Sequence, residues 1–109
     1  MFDVLSWGGF MTELFYFEIE KCFCSPKRGV AVGGKIQKGK IWDTARVSVI
    51  DEKNHVLLTT HILDIDWFGR YRTKHAVAEE GQIILILFPY AQKEIIEAAK
   101  AVVIRKEKP

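Results

Sequence analysis

The sequence has little cysteine and no long apolar run, and each absence excludes a class of protein. Its two cysteines, Cys22 and Cys24, cannot build the disulfide framework of a small secreted domain. In a strand their Cα atoms would lie about 6.6 Å apart with parallel side chains, a geometry unsuited to a disulfide bridge. We therefore expect reduced thiols and a cytoplasmic protein. No segment approaches the roughly 18–20 apolar residues of a membrane-spanning helix, so we expect no membrane partner.

Excess charge and complete catalytic motifs are also lacking. The chain carries 16 Lys and Arg against 14 Asp and Glu, and a net charge of +2 does not require a nucleic-acid partner. His55, His61 and His75 show no zinc-ligand spacing with the cysteines, and no Ser/His/Asp pattern indicates a triad. Asp64 and Asp66 would share a strand face, but no nearby residue completes a site. We expect neither an enzyme nor a cofactor or metal.

What the sequence does have is an alternation of apolar and polar residues with period two, which is typical of strands. The predicted strands cover residues 15–23, 30–37, 45–49, 56–65, 83–88 and 101–106. The segment 83–88 is apolar on both faces, which predicts a central strand covered on both sides. Residues 92–100 predict a short helix. Adjacent Gly33 and Gly34 indicate a bend or a close backbone approach within their strand.

Turn signals at residues 25–29, 38–40, 51–54 and 78–81 separate these strands at spacings of an all-β domain. The prediction is a small antiparallel, Greek-key-like barrel of six to seven strands with one short helix near the C-terminus. We assign residues 1–14 to an apolar N-terminal extension, 15–106 to the barrel and 107–109 to a tail.

A longer pattern resembles a known family. The run from Phe23 to Ile41 has an Arg-Gly turn, a valine-rich strand, a Gly, a basic strand end and a Gly-containing turn. It resembles the β-barrel second domain of elongation factor Tu and related translational GTPases. Residues 78–83 look like the turn before that family's central strand, and residues 95–103 look like its short helical turn and last strand. The resemblance implies this barrel fold and an association with translation.

These 109 residues include no counterpart of the GTPase domain that precedes the barrel in that family, so the resemblance implies no GTP hydrolysis by them. Residues 34–40 do match the first seven positions of a phosphate-binding loop. The eighth position, where Ser or Thr would hold magnesium, is Ile41, and the flanking segments predict strands where such a loop requires a helix. We expect no nucleoside triphosphate site.

The segment 66–75 is the strongest candidate for binding RNA or a ribonucleoprotein. In an extended chain, its alternating cations would share one face, and its aromatic rings could stack on bases, while the turn at 27–28 could extend the positive surface. The candidate RNA-binding residues are Trp67, Phe68, Arg70, Tyr71, Arg72, Lys74, Lys27 and Arg28. Alternatively, the aromatics fold onto the barrel and the cations face water, as small domains commonly cap their cores with aromatics.

The first ten residues suggest a different function, a protein-interaction module or a homodimer. The apolar side chains Phe2, Leu5, Trp7 and Phe10 would either pack on the barrel or cover another chain. A dimer of this kind predicts that deleting residues 1–10 leaves a soluble monomer. Met11 could equally be the translation start, which would make the first ten residues a misassigned extension.

Overall fold

The computed structural model describes residues 11–67 and 77–107. Within these ranges the chain forms nine strands, one 3-10 turn and one short helix. The strands are β1 (Met11–Ser25), β2 (Gly29–Lys38), β3 (Lys40–Trp42), β4 (Arg46–Ile50), β5 (Val56–His61), β6 (Asp64–Asp66), β7 (Val77–Glu79), β8 (Ile83–Phe88) and β9 (Ala101–Glu107); the 3-10 turn is Tyr90–Gln92 and helix α1 is Lys93–Glu97.

The predicted all-β fold with one short helix near the C-terminus is confirmed. In the described residues, seven strands form one antiparallel sheet in the order β5-β4-β9-β1-β2-β8-β6. Strands β3 and β7 pair in a separate antiparallel ribbon. The large sheet curls into a half-barrel, and its concave face encloses the main core.

A single stretch of chain joins the two edges of the curled sheet. Strands β5 and β6 lie at opposite ends of the strand order, although only Ile62 and Leu63 separate them in sequence. The Ile62 N–H donates to the Ala45 carbonyl at 3.0 Å, and the Leu63 N–H donates to the Leu87 carbonyl at 2.7 Å. The prediction of one uninterrupted strand over 56–65 is wrong, because the chain changes partner from β4 to β8 at these two residues.

The long hairpin of β1 and β2 bends at a β-bulge. Ile19 pairs with Gly34 and Lys21 pairs with Gly33, so Glu20 is the extra residue on β1. A bulge reverses which face of the strand each later side chain occupies. The bend predicted from the adjacent glycines of β2 is therefore present, and the extra residue that produces it, Glu20, lies on β1.

The main core fills the concave side of the sheet. Phe15 and Phe17 are fully buried, and their rings stack with centroids 6.5 Å apart and planes 6° apart. From β8 the core receives Ile84 and Ile86, both fully buried. Ile96 of α1 enters the same core, so the short helix contributes to its closure. These apolar contacts stabilise the curl of the sheet.

Three boundary predictions differ from the structure. The predicted helix over 92–100 contains only α1, because the Lys100 N–H donates to the Ile50 carbonyl at 2.7 Å and the chain enters β9. The predicted turn at 78–81 is shorter, because Val77–Glu79 pairs with β3 and the tight backbone lies at Gly81, with φ of +91°. Strand β1 begins at Met11, before the predicted start at residue 15.

The prediction that Ile83–Phe88 is a central strand covered on both faces is also wrong. Strand β8 is next to the last in the sheet, and its neighbour β6 has only three residues. Its even-numbered side chains are buried, whereas Ile83 on the opposite face is 60% exposed. An apolar run does not reveal whether a second layer covers it, because that depends on distant parts of the chain.

Candidate functional site

The uncovered side of β8 belongs to a wider apolar surface on the convex side of the sheet. Ala31 lies between Phe23 on β1 and Leu87 on β8, and all three point away from the main core. Leu85 and Ile83 extend this row along β8. We call Phe23, Ala31, Ile83, Leu85 and Leu87 the outer apolar face. Ile83 at one end is 60% exposed and Phe23 at the other end is 52% exposed, so both ends of this surface are accessible.

Charged residues surround the outer apolar face on two sides. In the β-ladder, Asp64 pairs with Leu87 and Asp66 pairs with Leu85, which places both carboxylates along the β6 side. Lys21 and Lys35 lie on the opposite side, in β1 and β2. An apolar centre with a polar rim is the usual anatomy of a protein–protein interface.

A cavity of about 270 Å³ opens within this surface. Phe23, Ala31, Leu85 and Leu87 contribute apolar walls, and Arg28 lies at the hairpin end of the cavity. Arg28 forms no ion pair with another described residue. Asp64 and Asp66 also line the cavity, so it is a concave site with apolar walls and charged groups of both signs at its margin.

The structure separates the candidate RNA-binding residues that it describes. Lys27 and Arg28 are exposed in the β1–β2 turn, beside the end of β8 at Phe88. Trp67 lies near the other end of β8, where its indole N–H donates to Gln82 Oε1 at 3.4 Å. Six residues of extended chain span about 20 Å, so these two groups do not form one compact patch.

Trp67 itself is partly buried and packs against the main core. Gln82 holds this corner of the barrel by accepting the Glu79 N–H at 2.8 Å in addition to the indole. The surroundings of Trp67 match the interpretation in which aromatics cap the core. The other candidates in this segment, Phe68, Arg70, Tyr71, Arg72 and Lys74, lie outside the described residues.

The apolar N-terminal candidates Phe2, Leu5, Trp7 and Phe10 also lie outside the described residues. The outer apolar face was not predicted from the sequence. Its signal was the second apolar face of residues 83–88, which was interpreted as buried.

A second, open and mainly polar groove lies near the β4–β5 turn, with Asp51 and His55 in its lining. Asp51 Oδ1 accepts the backbone N–H groups of Lys53 at 2.8 Å and of His55 at 2.9 Å. These two hydrogen bonds lower the pKa of Asp51 below its usual value, and the bond from His55 has the larger effect. Because its hydrogen bonds shape the turn itself, we assign Asp51 a structural role.

The two cysteines lie side by side on β1, and both are free thiols, as predicted. Cys24 Sγ donates to Glu97 Oε2, at the end of α1, at 3.4 Å. Partial burial is the largest cause, and together with smaller effects of Cys24 and Glu97 it raises the pKa of the Cys22 thiol to about 11. At neutral pH the Cys22 thiol is therefore protonated and a weak nucleophile.

Within residues 11–67 and 77–107, no group of three or more His, Cys, Asp or Glu side chains is arranged to hold a metal ion. In the same ranges, no helix is long and apolar enough to cross a membrane. Residues 34–38 lie in β2, and the next element is β3, so the partial phosphate-loop match has a strand on either side of Gly39. No protein-family model matches the chain, and no curated protein matches it either.

Proposed function

We propose that this chain is a non-catalytic β-barrel module that binds another protein through the outer apolar face. The observation that carries the proposal is the exposure of Ile83 and Phe23, at 60% and 52%, on a contiguous apolar surface. Exposed apolar patches with charged margins mark interaction sites on soluble domains. Burial of Ile83, Phe23 and the cavity walls would supply the hydrophobic part of the binding free energy.

The rim would supply orientation and partner choice. Lys21 and Lys35 lie along one margin of the face, and Asp64 and Asp66 lie along the other. A partner strand or loop with complementary charges would bind in one direction only, because the reverse placement would bring like charges together. We place the protein in the cytoplasm, in keeping with its free thiols.

Site-specific photo-crosslinking tests the proposal. With p-benzoylphenylalanine at position 83, irradiation of cells that express the full chain should give a discrete covalent adduct with one protein or a second copy. The matched control carries the photoprobe at position 56, because Val56 is similarly exposed, at 49%, but lies on β5, outside the outer apolar face. Equal adducts at both positions, or none at position 83, would contradict a docking surface on β8.

A substitution in the same surface makes the test specific. Adding Leu85→Lys to the position-83 photoprobe variant should abolish the adduct, because a charged side chain would enter the apolar centre of the contact. The unfolding midpoint should change little, since Leu85 is only partly buried and faces away from the main core. Adduct loss with an unchanged midpoint would identify the face itself as the binding element.

RNA binding is a second candidate function, and one observation favours it. Phe23 is an exposed aromatic ring, and the cations Lys21 and Arg28 near it form no ion pair with the other described residues. Base stacking on an aromatic ring beside cations is a common mode of single-strand recognition. An association with translation, which the resemblance to elongation factor Tu implies, would fit this candidate. Ribonuclease-sensitive adducts from position 83 would favour it over a protein partner.

A further inference from the structure

The β1 cysteines occupy a part of the strand that β9 does not cover. Strand β9 pairs with β1 only as far as Glu18, and the bulge at Glu20 follows. Beyond the bulge, Cys22 pairs with Val32 and Cys24 pairs with Val30, so both thiols lie on the concave side of the hairpin. Both residues remain exposed at this end of the sheet. The two thiols are thus accessible and share one face.

The two thiols and Glu97 form one interacting group. Glu97, the last residue of α1, accepts a hydrogen bond from the Cys24 thiol, with 3.4 Å between Sγ and Oε2. Cys22 and Cys24 pair with Val32 and Val30 on the neighbouring strand, so their side chains are adjacent on one face of β1. The carboxylate therefore orients one thiol, and that thiol lies beside the other.

The spacing of these thiols selects one kind of ligand. Parallel side chains two residues apart on a strand are poorly placed for a disulfide, but rotation about their side-chain bonds lets the two sulfurs meet a single ion between them. Zinc favours four ligands in a tetrahedron, and the described residues supply no third Cys or any His beside the pair. Soft thiolates select Cu(I), which accepts two thiolates in a linear arrangement.

We propose that Cys22 and Cys24 bind one Cu(I) ion per chain. Two thiol S–H bonds are lost, two S–Cu bonds form, and both protons pass to the solvent. The oxidation state of copper and sulfur does not change, so the step needs no oxidant or reductant. The product carries one negative charge, and Glu97 acts as a positioning residue for Cys24 without being a ligand.

A competition titration tests this site. Reduced full-length protein is added without oxygen to the coloured Cu(I) complex of bicinchoninate, and loss of colour reports transfer of copper. We expect transfer of one Cu(I) per chain, and at least a tenfold weaker apparent affinity in each of Cys22→Ser and Cys24→Ser. The matched control Glu94→Gln, on the same helix as Glu97 but without contact to the thiols, should still take up one ion, and X-ray absorption should show two sulfur neighbours. Both serine changes are at exposed positions, so unchanged unfolding midpoints will show that the fold is intact.

Several outcomes would overturn the proposal. Copper retained entirely by bicinchoninate would exclude a competitive site, and unchanged uptake by the two serine variants would place copper elsewhere. Half an ion per chain together with a doubled molecular mass would show a site between two copies in place of one within the chain. Zinc binding as tight as copper binding would contradict selection by a two-thiolate site.

Discussion

Gly34 packs directly against the backbone carbonyl of Glu18 on the neighbouring strand. A Cβ atom added to Gly34 would lie 2.2 Å from that carbonyl oxygen and 3.2 Å from the ring of Phe17. This contact lies beside the bulge at Glu20, where β1 bends around the core. A side chain at position 34 would therefore separate two paired strands at the bend of the half-barrel.

The first prediction is that Gly34→Ala destabilises the fold by about 2–3 kcal/mol, because backbone atoms must move to admit the methyl group. Gly33→Ala is the matched control. A Cβ atom added at Gly33 would lie 3.0 Å from Cδ2 of Leu85, a flexible side chain that can shift. The Gly33→Ala substitution should therefore destabilise the fold by about 1 kcal/mol or less. Urea unfolding of both variants measures the difference. Equal costs would mean that the close approach to Glu18 does not constrain position 34.

The second prediction concerns helix α1. Ile96 is 1% exposed within the main core, whereas its neighbour Ile95 is 39% exposed. We expect Ile96→Ala to lower the free energy of unfolding by about 2–5 kcal/mol through lost burial and a residual cavity. Ile95→Ala has the same side-chain change on the same helix and should cost about 1 kcal/mol or less. A similar loss in both variants, measured by denaturant unfolding, would contradict the role of α1 in closing the core.

The third prediction concerns the pH dependence of Cys22. With a pKa of about 11 in place of 9.0, about one thiol in a thousand is ionised at pH 8 instead of about one in ten. Glu97 helps to raise that pKa, so Glu97→Gln should lower it and speed alkylation of Cys22 by iodoacetamide at pH 8. Peptide fragmentation resolves Cys22 from Cys24 in the mass spectrum.

Glu94→Gln is the charge-matched control for that experiment, because Glu94 belongs to the same helix but does not act on Cys22. Its alkylation rate should equal that of the unmodified chain. Equal rates in the two glutamine variants would remove Glu97 as a cause of the shift.

The same pKa shift affects the stability of the fold. Because the pKa of Cys22 is raised in the folded state, its stabilising contribution is present below about pH 9 and is lost as the pH rises towards 11.

The fourth prediction tests the RNA hypothesis. Replacing Arg70, Arg72 and Lys74 together by Ala should weaken binding of a short single-stranded RNA and reduce the slope of log affinity against log salt by up to about 2. A triple variant of Lys40, Lys53 and Lys93 removes the same charge elsewhere and serves as the control. Tryptophan fluorescence titration measures both. Identical affinities and slopes in the two triple variants would exclude a specific role for residues 70–74.

Much of the fold was predictable from local patterns. Alternation of apolar and polar residues identified the large strands, and the polar tip at 51–54 was correctly predicted as a hairpin turn. The partner change at Ile62 and Leu63 was not predictable, because both halves of that stretch have strand character and only their hydrogen-bond partners differ. The candidate site was even harder to predict from the sequence, because the second apolar face of β8 has the same sequence pattern whether it is covered or exposed.

The sequence by itself determined that the chain is an antiparallel β protein, that its cysteines share a strand face, and that its glycines mark a bend. Each of these follows from the preferences of neighbouring residues. Only the tertiary structure decided that the outer apolar face is exposed, that Trp67 packs on the core beside Gln82, and that Glu97 meets Cys24. Those relationships join residues far apart in the chain, and they depend on how far the sheet curls and where α1 packs.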